Sequence, residues 1–321
     1  MSVPLILTIG KATQDVFLKS SKAFEPQKHK GVLYEQLPLG QKLDLDDVVS
    51  TTGGNVTNAA VTFARQGLHS RYLWALGTEF ASEAVFHDLD NEGVDTSHVR
   101  QHESYRASYS TILLAASGER TILNFHGTKL ASDGSELDLG GFESADWVYL
   151  SALGDMELLE FLITKSKKNG IKVFLNPAGA ELAEIDKLRS LLEDVDILAV
   201  NKEEAQKIVE GQTIEELARH AMHYVPLVIV SDGPNGAVAT DGKTVVTAGI
   251  YEDVPVIDRT GGGDAFGSGF LSEIVRGKSI KDAMLLASAN STSVVAVIGA
   301  KEGILHEGVI FHDMPLTEKP F

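Results

Sequence analysis

Between Asp258 and Phe270 the chain reads DRTGGGDAFGSGF, three consecutive glycines followed by an aspartate. Phe266, Phe270 and Ile274, with Leu271 and Val275 beside them, recur at helical spacing, and Gly277 lies past the last of them. A helix is therefore predicted to begin at about Asp264. At a helix start the first amides have no partner within the helix, and the backbone dipole presents its positive end. Gly261, Gly262 and Gly263 would leave such amides uncovered, giving an anion hole that a phosphate can approach closely. A carboxylate would repel that anion unless it had a task of its own. Beside the hole, Asp264 can accept the proton of a hydroxyl that attacks the phosphate. The plainer alternative makes Asp264 an N-cap, a position aspartate favours, and these residues alone allow both.

Two other nucleotide-binding patterns fail on spacing. No GxxxxGK[ST] string occurs in the chain, and LILTIGKATQD offers a single glycine where a dinucleotide fold needs GxGxxG after its first strand. The ten histidines are scattered without the spacing of a metal site, and there is no cysteine, so disulfides and thiolate metal sites are excluded. The net charge of −17 argues against nucleic acid as a partner but leaves room for a small phosphorylated ligand, which needs only local amides and a cation or two. MSVPLILTIGKATQD has a short apolar run and no basic leader, so it reads as a buried strand, not as a signal peptide or membrane anchor. A soluble cytoplasmic protein without membrane contact is expected.

The elements that must position the glycine segment are legible from about Asp146 onward. The apolar runs WVYL (147–150), VFL (173–175), ILAV (197–200) and LVIVS (227–231) alternate with helical patterns such as MELLEFLITKSKKNG. Apolar strands without polar alternation, separated by amphipathic helices, predict an α/β layered domain with a parallel sheet covered on both faces. Two earlier stretches differ. In GVLYEQLPLGQKLDLDDVVSTTGG and ASYSTILLAASGERTILNFHGTKL, polar and apolar residues alternate, and Ser117–Gly118 offers a hairpin turn. No helices separate these strands, so a small antiparallel sheet is expected outside the main layer, acting as a lid or a dimerisation surface.

A second set of motifs places the whole chain. It resembles the PfkB carbohydrate kinase family, the ribokinase-like kinases of sugars and nucleosides. The C-terminal signature of that family, D-T-x-G-A-G-D, is matched by Asp258 to Asp264, with Arg259 in place of a small residue and Gly262 in place of alanine. The N-terminal signature is matched by Gly53-Gly54-Asn55-Val56-Thr57-Asn58, the N-x-x-E motif by Asn201 to Glu204, and a nucleotide loop by Ser231-Asp-Gly233-Pro-Asn-Gly236. The resemblance implies a single domain over residues 1–321: a three-layer ribokinase-like fold with a mostly parallel central sheet, and lid strands inserted at about 15–52 and 105–126.

It also implies roles. Asp264 would be the catalytic base, with Gly261, Gly262 and Gly263 as the hole for the transferred phosphoryl group. Asp15, Gly53, Gly54 and Asn58 would bind the substrate; Ser231, Gly233 and Gly236 would contact ATP, and Asn290, on the helix after the Ser279–Asp282 capping box, would lie near the adenine. Asn201 and Glu204 would position Mg²⁺ through its waters, which suits an ion that takes few protein ligands. Some members hold a monovalent cation beside the hole, making Asp258 and Thr260 candidates for a K⁺ site. The expected activity is transfer of the ATP γ-phosphoryl group to a hydroxymethyl group of a sugar. The alternative is a nucleoside kinase on the same fold, with Phe17, Tyr105, Tyr109 or Phe125 stacking a base. A third reading, a non-catalytic binding protein, leaves Asp264 without purpose. KVFLNPAGAEL (172–182) favours sugar.

Overall fold

The apolar runs lie side by side in one nine-stranded sheet, ordered Leu316–Pro320, Thr244–Ala248, Ala237–Thr240, Val228–Ser231, Ile197–Asn201, Lys172–Asn176, Trp147–Ser151, Leu5–Ile9 and His69–Leu73. The structure is a computed structural model that describes residues 3–117, 119–312 and 314–321. From Val228–Ser231 to His69–Leu73 neighbouring strands are parallel, and the remaining three strands at the other edge are antiparallel. Val148, Tyr149, Leu150, Phe174 and Leu198 are fully buried, because helices cover both faces of these strands. Parallel alignment brings the carboxyl ends of the strands to one edge, so Gly10, Ser151, Asn176, Asn201 and Ser231 stand along it. Ligands of open α/β sheets bind at that edge.

Helix Met156–Lys168 follows the predicted pattern, with Leu158, Leu159, Leu162 and Ile163 buried and the Asp155 side chain accepting from the Leu158 amide as its cap. Helices Asn55–Arg65 and Gly262–Val275 pack against each other, and Ile280–Val295 packs against the latter behind a Ser279–Asp282 capping box. Among the described residues, no helix is long and apolar enough to cross a membrane.

The small sheet is present but differs from expectation. Its order is Arg120–Phe125, Ser108–Leu114, Thr13–Lys19, Asp47–Gly53, and its central pair, Thr13–Lys19 with Ser108–Leu114, is parallel. The purely antiparallel expectation is corrected: the chain leaves Lys19, visits the sheet edge and the main layer, and returns to the other side of that strand in the same direction. The alternating GVLY run does not join this sheet either. Val32–Tyr34 pairs with Gln27–His29 as a separate two-stranded hairpin, and residues 37–46 carry no strand. Of the predicted Ser117–Gly118 turn, Gly118 lies outside the described residues.

Candidate active site

The helix after the glycines starts two residues earlier than predicted, at Gly262, with Gly261 as its N-cap. Gly261 holds φ 77°, which favours glycine, and a Cβ there would stand 2.6 Å from that of Ala300. A Cβ on Gly262 would meet Val295 at 2.8 Å, whereas one on Gly263 would find nothing within 4 Å. Gly261 and Gly262 are thus fixed by packing, and Gly263 faces open space. Among the described residues the amides of Gly261, Gly263 and Asp264 donate to no protein group. They are free for an anion.

Asp264 lies within the first turn and is not the cap, so the N-cap alternative falls away. Its carboxylate accepts from Asn58 Nδ2 at 2.8 Å, across the contact between the two packed helices. Part of the residue stays accessible, while the surrounding protein desolvates the carboxylate. Burial, reinforced by the charge of Glu204 and opposed by the Asn58 hydrogen bond, lifts its pKa from 3.8 to about 6. Asn58 itself is 3% exposed, and its Oδ1 is buried without a partner among the described residues. An orphaned acceptor beside a raised carboxylate is a handle for a hydroxyl donor.

Asp15 sits in the central strand of the small sheet, buried, with Thr13 Oγ1 donating to it at 3.2 Å and burial raising its pKa. Bare Gly53 lets the carboxylate lie close, since a Cβ there would be 2.5 Å from Asp15 Oδ2. Gly54, at φ 106°, caps helix Asn55–Arg65 and packs against the Lys11 carbonyl. Asp15, Gly53, Gly54 and Asn58 therefore form one continuous wall ending at Asp264. Below it, Asn55 Nδ2 donates to Ser151 Oγ, Ser151 Oγ to Asn176 Oδ1, and Asn176 Nδ2 to the Ala199 carbonyl, at 3.0, 3.0 and 2.8 Å.

On the other side of the hole a cavity of about 230 Å³ is lined by Ser231, Gly233 and Gly236 together with Gly262 and Gly263. Ser231, Gly233 and Gly236 thus face the same space as the glycine hole. With that geometry in hand, similarity can be weighed. The sequence profile described as pfkB family carbohydrate kinase matches residues 29–307. The chain belongs to the pfkB family of carbohydrate kinases. It is 27% identical over 264 residues to a ribokinase of Haemophilus influenzae, covering 78% of this chain and 83% of that protein. It is likewise 27% identical to a 2-dehydro-3-deoxygluconokinase of Escherichia coli, covering 79% and 91%. Among solved structures, Arabidopsis thaliana ribokinase complexed with ribose and ATP superposes with a TM-score of 0.78 at 23% identity, over 95% of this chain and 96% of that one. These neighbours establish the ribokinase fold.

The structure adds to the sequence reading at three places in the kinase. Asn290 is completely buried: its Nδ2 donates to the Ala265 carbonyl and its Oδ1 accepts from the Leu305 amide. It ties helices together and does not reach the cavity. Ser288, Ser291 and Thr292 of the same helix line it instead, and Ser288 Oγ is buried without a partner among the described residues. Asn201 and Glu204 form a reciprocal capping box, each side chain bonded to the other's amide at 2.9 Å. Burial raises the pKa of Glu204, whose charge is also felt at Asp264.

Asp258 and Thr260 are the third case. Asp258 Oδ1 accepts from Thr260 N, Thr260 Oγ1 and the Arg120 guanidinium at 3.0, 2.7 and 2.9 Å, and Oδ2 accepts from the Gly299 amide at 3.2 Å. Burial opposes its ionisation, but these donors outweigh burial and hold the carboxyl below its ordinary value. A guanidinium thus stands against Asp258 where the sequence reading placed K⁺. Arg259, which stands in place of a small residue, lines the cavity beside the hole. Lys11 is half-buried against the Gly154 turn, and burial lowers its pKa.

Proposed function

We propose that this kinase transfers the γ-phosphoryl group of ATP to a hydroxymethyl group of a sugar, with Asp264 as the base. One observation carries the reading: a carboxylate raised to about 6 stands beside unpaired amides at a helix start, held by an asparagine with an orphaned oxygen. Asn58 Oδ1 and Asp15 orient the acceptor hydroxyls. Asp264 takes the proton of the attacking hydroxyl. The amides of Gly261, Gly263 and Asp264 hold the oxygens of the group in transit, and Arg259 faces the polyphosphate. The β–γ phosphoanhydride bond breaks as the new P–O bond forms, leaving ADP.

Mg²⁺ arriving with the nucleotide would neutralise its phosphates, and Asn201 and Glu204 would hold it through water. Among the described residues no group of three or more His, Asp or Glu is arranged to hold a metal, which suits an ion that arrives on the nucleotide. Sugar is favoured over nucleoside because three of the four candidate stacking rings are packed into the protein: Phe17 and Tyr105 are buried, Tyr105 Oη donates to Glu136 at 3.0 Å, and Tyr109 lies partly buried against the core, while Phe125 is exposed.

The small sheet serves as lid over the acceptor, and its exposed Ile122, Leu123 and Phe125, together with Leu33 and Tyr34 of the separate hairpin and Leu39 after it, form a homodimer surface. The chain works in the cytoplasm, for which a protein without cysteine is suited, and its charge of −17 provides no surface for nucleic acid. ADP release is measured with ribose, fructose, 2-dehydro-3-deoxygluconate, adenosine and other nucleosides as acceptors. Turnover of a sugar, abolished by Asp264→Asn with nucleotide binding retained, is the expected result. Turnover of nucleosides alone, or an unaffected Asp264→Asn rate, overturns it.

A further inference from the structure

Arg120 opens the edge strand of the small sheet, yet its guanidinium crosses to a carboxylate 138 positions away in the loop that leads into the glycine hole. The partner, Asp258, has a side chain only 6% exposed, against 38% for Arg120. That carboxylate joins two backbone segments. Through Thr260 it fixes the approach to Gly261, and through the Gly299 amide it fixes the loop carrying Ala300, against which Gly261 packs. Both segments shape the space in which the free amides of the hole stand. A buried, ionised carboxylate at this place would repel a polyphosphate and would be costly without a compensating cation.

We infer, on the kinase reading above, that Arg120 is a lid-borne counter-ion for the signature loop: its guanidinium supplies beside the hole the positive charge that Asp258 requires, so the enzyme needs no bound monovalent cation and forms a competent hole when the small sheet is seated. Arg120 is a positioning residue, since it touches Asp258 and no reacting atom. A charge-assisted bond from guanidinium to carboxylate is among the stronger hydrogen bonds a side chain makes, and its donor here rides on the element that covers the acceptor. Seating of the sheet and definition of the hole thereby become one event, with Asp258 as the junction.

The full-length enzyme is assayed in KCl, NaCl and tetramethylammonium chloride at equal ionic strength, which holds general screening constant. Calorimetric ADP affinity is measured in the same three salts, and thermal melting reports whether each variant folds. Wild type is expected to show rates and ADP affinities within about twofold across the salts. Arg120→Ala in tetramethylammonium should lose roughly tenfold in kcat and in ADP affinity, within the usual range of coupling between sites. K⁺ or added guanidinium should restore both to Arg120→Ala, and Arg120→Lys should keep most of them in every salt. A wild type strongly activated by K⁺, or an Arg120→Ala protein indistinguishable from wild type in every salt, overturns the inference. So does a folded Arg120→Ala protein whose loss no cation repairs. If none of the acceptors turns over, the proposed function has failed, while the ADP arm still decides the role of Arg120.

Discussion

The pKa of Asp264 offers a test in which two substitutions must act with opposite sign. Burial raises it first, the Glu204 charge raises it further, and the 2.8 Å hydrogen bond from Asn58 lowers it, to give about 6. A base works only when ionised, so the rate of wild type should fall as pH drops through about 6. Asn58→Ala removes a donor to the charged form. Such bonds contribute about 1.5–3 kcal/mol and one pKa unit is about 1.4 kcal/mol, so with water replacing part of the bond the acid limb should rise by roughly one unit. Glu204→Gln removes a negative neighbour of similar shape, so the acid limb should move down, by roughly half a unit at an effective dielectric near that of a protein surface. The assay is kcat/KM for the acceptor at saturating Mg·ATP, fitted across about two units on either side of the wild-type limb. Plateau rates will fall in both variants for other reasons; the signature is the sign of the shift. Limbs that move the same way, or a wild-type limb at the ordinary carboxylate value, would refute the placement of Asp264 between these two groups.

The same raised pKa has a stability consequence. Asp264 favours its neutral form in the fold, so its contribution is fully present below pH 3.8 and is lost as pH rises through about 6. Asp264→Asn should therefore melt higher than wild type at pH 8, by roughly 1–3 kcal/mol, and the gap should close towards pH 4, as followed by calorimetry. The glycines should separate fold from function. Gly261→Ala, at φ 77° and 2.6 Å from Ala300, should cost roughly 1–3 kcal/mol in denaturant melts, whereas Gly263→Ala should fold at least as well as wild type and lose ATP turnover, because its methyl projects into the open hole. Equal melting of the two variants would contradict the division between packed and open glycines. For the proposed dimer surface, Leu33→Asp with Leu123→Asp should convert a sedimenting dimer to monomer without lowering the melting temperature, and a wild type that sediments as monomer at micromolar concentration removes the dimer proposal.

Which of these features the sequence could carry depended on whether the physics was local. Gly261 to Asp264 could be read because a bare backbone, a helix start and an acid are neighbours in the chain; the helix begins two residues before the point the apolar spacing marks, where Gly261 and Gly262 pack against Ala300 and Val295. WVYL and ILAV could be read because a strand buried on both faces needs no partner to explain its composition. The alternation in residues 32–46 misled, since alternation promises a strand only where something pairs with it, and only Val32–Tyr34 found a partner there. Asn290 fails for a geometric reason. Ser288, Ser291 and Thr292 are spaced three and four apart and share the face of helix Ile280–Val295 that looks into the cavity, while a residue two on from Ser288 is turned some 200° away, into the packing against Ala265 and Leu305. Nothing local says which face looks inward. Arg120 is the extreme case: its partner is set by how an edge strand of one sheet settles over a loop of another layer, so no spacing in the chain could have paired it with Asp258. The departures from the family signature become intelligible in that light. Arg259 in place of a small residue lines the cavity beside the hole, and the carboxylate next to it pairs with Arg120 of the small sheet.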